Sequence, residues 1–177
     1  MNDIFAVGER VIYGGTGVCR VEEITEKKMG QAGGTRMYYV LKPLFQDGTI
    51  YTPVDTKVYM RPVMTAQEAE RVIDAIPDIR AESYHDRNFN QLAARYEQVL
   101  SSHEFMDIVA LAVSIREKKT SAEQQSKKLG QVDTKFMKRA ESLINGELSI
   151  ALGIPEDKVP DYIADRVTAA RKRRKQE

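Results

Sequence analysis

Thiols are nearly absent from this 177-residue chain: Cys19 is the one cysteine, which excludes an internal disulfide framework and leaves too few thiols for a cysteine-based zinc site. Tryptophan is absent altogether, and the histidines number two, His85 and His103, with no metal-ligand spacing such as H-E-x-x-H around either. Neither G-x-S-x-G nor G-x-x-x-x-G-K-[ST] occurs. With so few groups that titrate near neutral pH, a non-enzyme is expected, with no cofactor and no catalytic or metal-ligating residues. No apolar run approaches the roughly 20 residues needed to cross a bilayer. The opening MNDIFAVGERV has neither a basic n-region nor an apolar h-region, so it reads as a cytoplasmic protein without a secretory signal.

What is there is an ordinary globular composition, 42% hydrophobic and 30% charged, enough for one domain or two small ones. The net charge of +1 hides local structure. Residues 65–170 hold 14 basic against 18 acidic side chains, whereas residues 171–177 hold five basic against one acidic. A second basic cluster, residues 116–139, carries eight Lys/Arg against three Asp/Glu. Such clusters either meet phosphates or lie on a solvated face.

Residues 4–61 read as strands. Val11, Ile12 and Tyr13 lead into Gly14-Gly15-Thr16-Gly17, a turn rather than a phosphate-cradling loop, because a β-type run follows it and not a helix. The alternation in Val18–Ile24 slips near Glu22 and Glu23, as a β-bulge would make it do. Met37–Leu41 is the strongest strand signal, and Asp47-Gly48 reads as a hairpin turn before Thr49–Thr52. Short strands with glycine turns at this spacing suggest a small, bent SH3- or Tudor-like β-barrel.

Past Pro62 the period becomes helical. Thr65-x-x-Glu68 is a capping box, followed by Ala69, Val72, Ile73 and Ile76 up to Pro77. Phe89, Leu92, Ala93, Tyr96 and Leu100 mark a second helix, and Ser101-x-x-Glu104 is expected to open a third, apolar nearly all round from Ile108 to Ile115. Thr120-x-x-Glu123 is expected to open a short basic helix. Val132 to Ala151 line a long helix stopped by Gly153, and a last helix starts near Pro160. The expected fold class is therefore α+β: a β domain over 1–63, a five- or six-helix domain over 64–170, and a basic tail over 171–177.

Two runs of residues resemble the CarD family of bacterial transcription regulators (the CarD/CdnL group), whose β module is shared with the transcription-repair coupling factor. The first is Phe5-x-x-Gly8-x-x-Val11-x-Tyr13, with Gly17-Val18, Ile24, Tyr38-x-Val40-Leu41-Lys42 and Pro53. The second runs Leu129-x-x-x-Asp133-x-x-x-Met137-x-x-Ala140-x-x-Leu143-Ile144-x-x-Glu147-Leu148. The resemblance implies that the β module docks on the β subunit of RNA polymerase. It also implies that the helical domain touches promoter DNA in the minor groove, at the upstream edge of the −10 element, stabilising the open complex. The family's two polymerase-binding arginines fall here on Lys27 and Tyr51, and Tyr51 is equally readable as a plain β-sheet aromatic. The tryptophan that the family wedges into the minor groove falls on Phe89, which also fits a core position in phase with Leu92 and Tyr96. Phosphate contacts would then fall to Arg87, Arg95 and the cluster of Arg116, Lys118, Lys119, Lys127 and Lys128. The alternative reading is a polymerase-binding adaptor without productive DNA contact.

Overall fold

The computed structural model describes residues 4–177, and its internal contacts divide the chain into two units between Val63 and Met64. In the first unit, strands β1 (Arg10–Tyr13), β2 (Gly17–Lys28), β3 (Thr35–Pro43), β4 (Ile50–Pro53) and β5 (Met60–Pro62) form one antiparallel sheet. Their order is β4-β3-β2-β1-β5, so β4 and β5 are its edges. The Gly14–Thr16 stretch is a 3-10 turn, and Gly17 re-enters the sheet at φ 88°, a backbone conformation that favours glycine.

A bulge organises this sheet. Val21 pairs with Leu41 but Glu23 pairs with Val40, so Glu22 is the extra residue that the slipping alternation predicts. Before the bulge the inward residues of β2 are Cys19 and Val21; after it they are even-numbered, beginning with Ile24. Without the inserted residue the apolar set of one half would face solvent. Val11, Cys19, Val21, Tyr39 and Leu41 form the buried cluster. The hydroxyls of Tyr39 and of Tyr13, which packs against the cluster, are both used: Tyr39 accepts from the Phe5 amide at 2.9 Å and Tyr13 donates to Thr52 Oγ1 at 3.2 Å. The β3–β4 connection is wider than the expected tight turn at Asp47-Gly48. Leu41 is the last residue of β3 to pair with β4, facing Ile50, and β3 ends two residues later at Pro43, which has no N–H to add to a ladder.

The second unit contains α1 (Ala66–Ala75), α2 (Phe89–Ser101), α3 (Phe105–Gln124), α4 (Gln131–Leu152) and α5 (Val159–Arg174). Thr65 and Glu68 close a reciprocal capping box, at 2.8 and 3.1 Å, where the sequence predicts it. Gly153 ends α4 at φ 69°, the left-handed conformation that a helix stop of this kind uses. Two expected boxes are absent. Ser101 belongs to the last turn of α2, and α3 begins after Glu104 with no side-chain cap. Between them, Ser102 Oγ donates to the Val99 carbonyl at 2.6 Å, and His103 takes φ 58°. Nor does a separate basic helix start at Thr120. Its hydroxyl donates back to the Arg116 carbonyl at 3.1 Å, a bond made within a continuing helix, and α3 runs through to Gln124.

Ile73, Tyr96, Ile115, Phe136, Ala140 and Leu148, all but fully buried, anchor one core that all five helices share, α5 through the buried Val159. α5 is also joined to α1 by polar bonds, Arg166 forking to Glu70 and Asp74 and Tyr162 donating to Glu70 at 2.6 Å, while Arg174 pairs with Asp78 in the 3-10 turn after α1. The basic run that begins at Arg171 is helical as far as Arg174.

Burial raises the Cys19 thiol to about 11, so at neutral pH it is a protonated apolar group and not a nucleophile. Native protein at pH 7.5 should therefore resist N-ethylmaleimide, and protein in denaturing urea should be alkylated within minutes. Equal rates in both states would contradict the burial of β2.

Candidate functional site

On the β unit, the two polymerase-docking candidates meet. Lys27 lies on β2 opposite Arg36 of β3, and Tyr51 lies on β4 opposite Val40, which puts all four on one face of the sheet. The Lys27 ammonium sits 3.4 Å from the Tyr51 ring centroid and 5.8 Å from that of Tyr38. This is cation–π geometry, and it holds a positive charge over two aromatic rings. Tyr51 is 54% exposed on this face of the sheet. Around it, Tyr38 donates to the sulfur of half-exposed Met29 at 3.4 Å. Arg36 was not singled out by its sequence position; only the register of the β2–β3 hairpin places it beside Lys27. Its guanidinium holds Asp55 at 2.7 Å, and the hydrogen bond from Arg36 lowers the Asp55 carboxyl below its ordinary range. The outer edge of β4 has no neighbouring strand among the described residues. The surface therefore combines a free strand edge with aromatic, thioether and cationic groups, a set suited to another protein.

On the helical unit, Phe89 is the first residue of α2, behind Asn88, whose Oδ1 accepts from the amides of Asn90 and Gln91 at 3.0 and 3.3 Å. The core positions of α2 are filled by Leu92, Tyr96 and Leu100, whereas Phe89 is 69% exposed. The ring is thus an exposed apolar group on a capped helix end. The preceding Arg87 is exposed too, with no ion-pair partner among the described residues. Arg95 stacks its guanidinium 4.2 Å from the Tyr84 ring centroid.

The basic cluster is divided by the fold. Arg116, though exposed, is ion-paired with Glu141 of α4. Lys118 turns inward: its ammonium lies 2.9 Å from Asp133 and 2.9 Å from the Tyr84 carbonyl, with both charged side chains more than nine-tenths buried. The Tyr96 hydroxyl donates to the same carboxylate, at 2.5 Å, and burial together with that carboxylate raises its pKa above the ordinary phenol value. Lys119, Lys127 and Lys128 remain exposed. Lys127 and Lys128 line a cavity of about 300 Å³ with Ser83, His85 and Gln125, next to the start of α4, while Lys119 does not. Nothing in the local sequence separates Lys118 from Lys119; the partners that bury Lys118 come from α2, from the segment before it and from α4.

Among the described residues, no group of three or more His, Cys, Asp or Glu is placed to hold a metal ion. No helix among them is long and apolar enough to cross a membrane.

Residues 5–64 match the family model of the CarD-like/TRCF RID domain. The chain carries a CarD-like RNA polymerase-interacting domain. The match covers the β unit, including Lys27 and Tyr51, and implies binding to the β subunit of RNA polymerase and a transcription-related function. A comparison with curated proteins finds no match. The helical unit lies beyond the matched residues, apart from Met64.

Removing Lys118 strands a buried carboxylate, so Lys118→Ala should lose about 3–5 kcal/mol of stability in urea unfolding. Lys127→Ala and Lys128→Ala should each stay within about 0.5 kcal/mol of wild type, as solvated side chains do. A Lys118 variant as stable as the wild type would mean that the buried pair does not form.

Proposed function

We propose that this CarD-like protein is a non-enzymatic regulator of bacterial transcription, acting in the cytoplasm, that binds polymerase and promoter DNA together and favours the open complex. The Lys27–Tyr51 face docks on the β subunit, and the helical unit contacts the minor groove at the upstream edge of the −10 element. The observation that carries the reading is the exposure of Phe89 on the capped end of α2. Apolar side chains inserted at a base step partly unstack it, at a cost of a few kcal/mol that the extra contact with bent DNA offsets. A side chain that fits the melted geometry better than the duplex shifts the population by its differential affinity alone. About 1.4 kcal/mol of preference is a tenfold shift. Phe89 offers a flat apolar ring where the family has a tryptophan, smaller than the indole and without its N–H.

Arg87, Lys119, Lys127 and Lys128 supply phosphate contacts, with Arg95 available from its stack on Tyr84. Few contacts mean weak DNA binding by the free protein, and the polymerase supplies the local concentration. The second reading, an adaptor that holds polymerase without productive DNA contact, draws support from the internal commitments of Arg116 and Lys118.

The deciding experiment follows open-complex lifetime on a promoter whose open complex is short-lived, using purified bacterial polymerase. Wild-type protein should lengthen it, and Phe89→Ala should return it to the factor-free value while still binding polymerase. Tyr51→Ala should weaken polymerase binding by about tenfold, as loss of an exposed aromatic anchor does. Polymerase binding with an unchanged lifetime for wild type would select the adaptor reading. Absence of binding would remove both.

A further inference from the structure

Three adjacent strands of the β unit carry like charges in one row. The register sets Arg10 of β1 directly opposite Arg20 of β2, and Arg20 directly opposite Lys42 of β3. Directly opposed residues share a face, and neighbouring strands lie about 4.8 Å apart, so the row spans roughly 10 Å. All three side chains are exposed. Like charges at opposed positions destabilise a sheet. Among the described residues only Arg20 has an ion-pair partner, the carboxylate of the bulge residue Glu22 at 2.6 Å. Arg10 and Lys42 are left uncompensated.

The row belongs to the docking face. Lys42 and Val40 are alternate residues of β3, and Val40 stands opposite Tyr51, so Lys42 lies on the same side of the sheet as Tyr51 and Lys27. Along β3 this face reads Lys42, Val40, Tyr38, Arg36, about 20 Å from the first cation to the last. Its acids are Glu22, paired with Arg20, Asp55, held by Arg36, and Glu23, opposite Val40. Acids interspersed in this way suit a duplex poorly, because its backbone presents one negative charge per about 1.7 Å of axis without a break. A protein segment can set its carboxylates between them.

We propose that the Arg10–Arg20–Lys42 row is a second contact with the polymerase β subunit, taking an acidic segment of that subunit beside the aromatic site at Tyr51. The proposal rests on the reading that this face of the β unit docks on polymerase. Carboxylates placed on the row relieve the repulsion among its cations, so the free protein carries a destabilising contact that the complex removes. Charges this exposed act mainly on the rate of encounter.

The test measures binding of the full chain to purified bacterial core polymerase by biolayer interferometry, at 50 and 500 mM NaCl. Lys42→Glu and Arg10→Glu each set a carboxylate opposite Arg20. Each should weaken binding roughly three- to tenfold at 50 mM, chiefly through slower association. At 500 mM, where screening reaches to about 4 Å, each should bind within twofold of wild type. Both should melt no lower than wild type, because an opposite-charge contact replaces a like-charge one. Lys28→Glu makes the same charge change on the other face of β2 and should stay within twofold at both salt concentrations.

Tyr51→Ala separates the row from the docking face. Weakened binding by Tyr51→Ala, with both reversals at wild-type affinity, keeps the face and overturns the row. Weakened binding by the reversals alone keeps the row and removes the aromatic site. The proposal is also overturned by equal weakening in Lys28→Glu, by weakening that persists at 500 mM, or by a fall in melting temperature that accompanies it. Reversals that spare polymerase and weaken promoter DNA binding would assign the row to phosphates instead.

Discussion

The helical unit depends on one buried ionic contact, between Lys118 of α3 and Asp133 in the first turn of α4, with the hydroxyl of Tyr96 from α2 on the same carboxylate. Two charges taken out of water are tolerable only when their remaining hydrogen-bonding capacity is met. Here it is: the ammonium also reaches the Tyr84 carbonyl, and no buried side-chain nitrogen or oxygen among the described residues lacks a partner. The start of α4 adds a favourable field, since a carboxylate in a first turn faces the positive end of the helix. Apolar packing tolerates small rotations of a helix, whereas a 2.5 Å bond between Tyr96 and Asp133 does not. The network therefore fixes the turn of α2 about its axis, and with it the direction in which the capped end presents Phe89.

In the β unit the comparable constraint is the bulge at Glu22. It lets one long strand bury Cys19 and Val21 on one side of the insertion and Ile24 on the other. The same shift puts odd-numbered Lys27 on the outer face, where Tyr38 and Tyr51 stand. A single extra residue thus sets both the core and the docking face.

How much of this was legible depended on how far apart in sequence the cause lay. The Thr65 capping box, the Gly153 stop and the bulge have causes within a few residues, and the sequence displays them. The boxes at Ser101 and Thr120 have the right letters, yet Ser101 falls in the last turn of α2, where the neighbouring Ser102 hydroxyl bonds the Val99 carbonyl, and the Thr120 hydroxyl bonds the Arg116 carbonyl of its own helix. Capping letters inside a helical run are ambiguous for that physical reason. Lys27 and Tyr51 follow from the family resemblance; their cation–π contact needs the sheet order, which no local pattern supplies. The inward turn of Lys118 was the least legible, because its partners lie 15, 22 and 34 residues away, on two other helices and on the segment before α2. Phe89 was a choice between core and surface that its helical phase alone left open. Its place at the first position of α2, one turn before the buried stripe begins at Leu92, decides it.

The bonds between α1 and α5 bear on the order in which the helical unit is assembled. Tyr162 and Arg166 reach residues on α1 that precede them by 92 and 96 positions. Bringing such distant segments together carries a loop-closure entropy that grows with the logarithm of the intervening length. It becomes affordable only once α2, α3 and α4 have docked and shortened the effective loop. On a ribosome, α1 is therefore made first within its unit and satisfied last. The hairpins of the β unit, by contrast, pair with neighbours that emerge a few residues later.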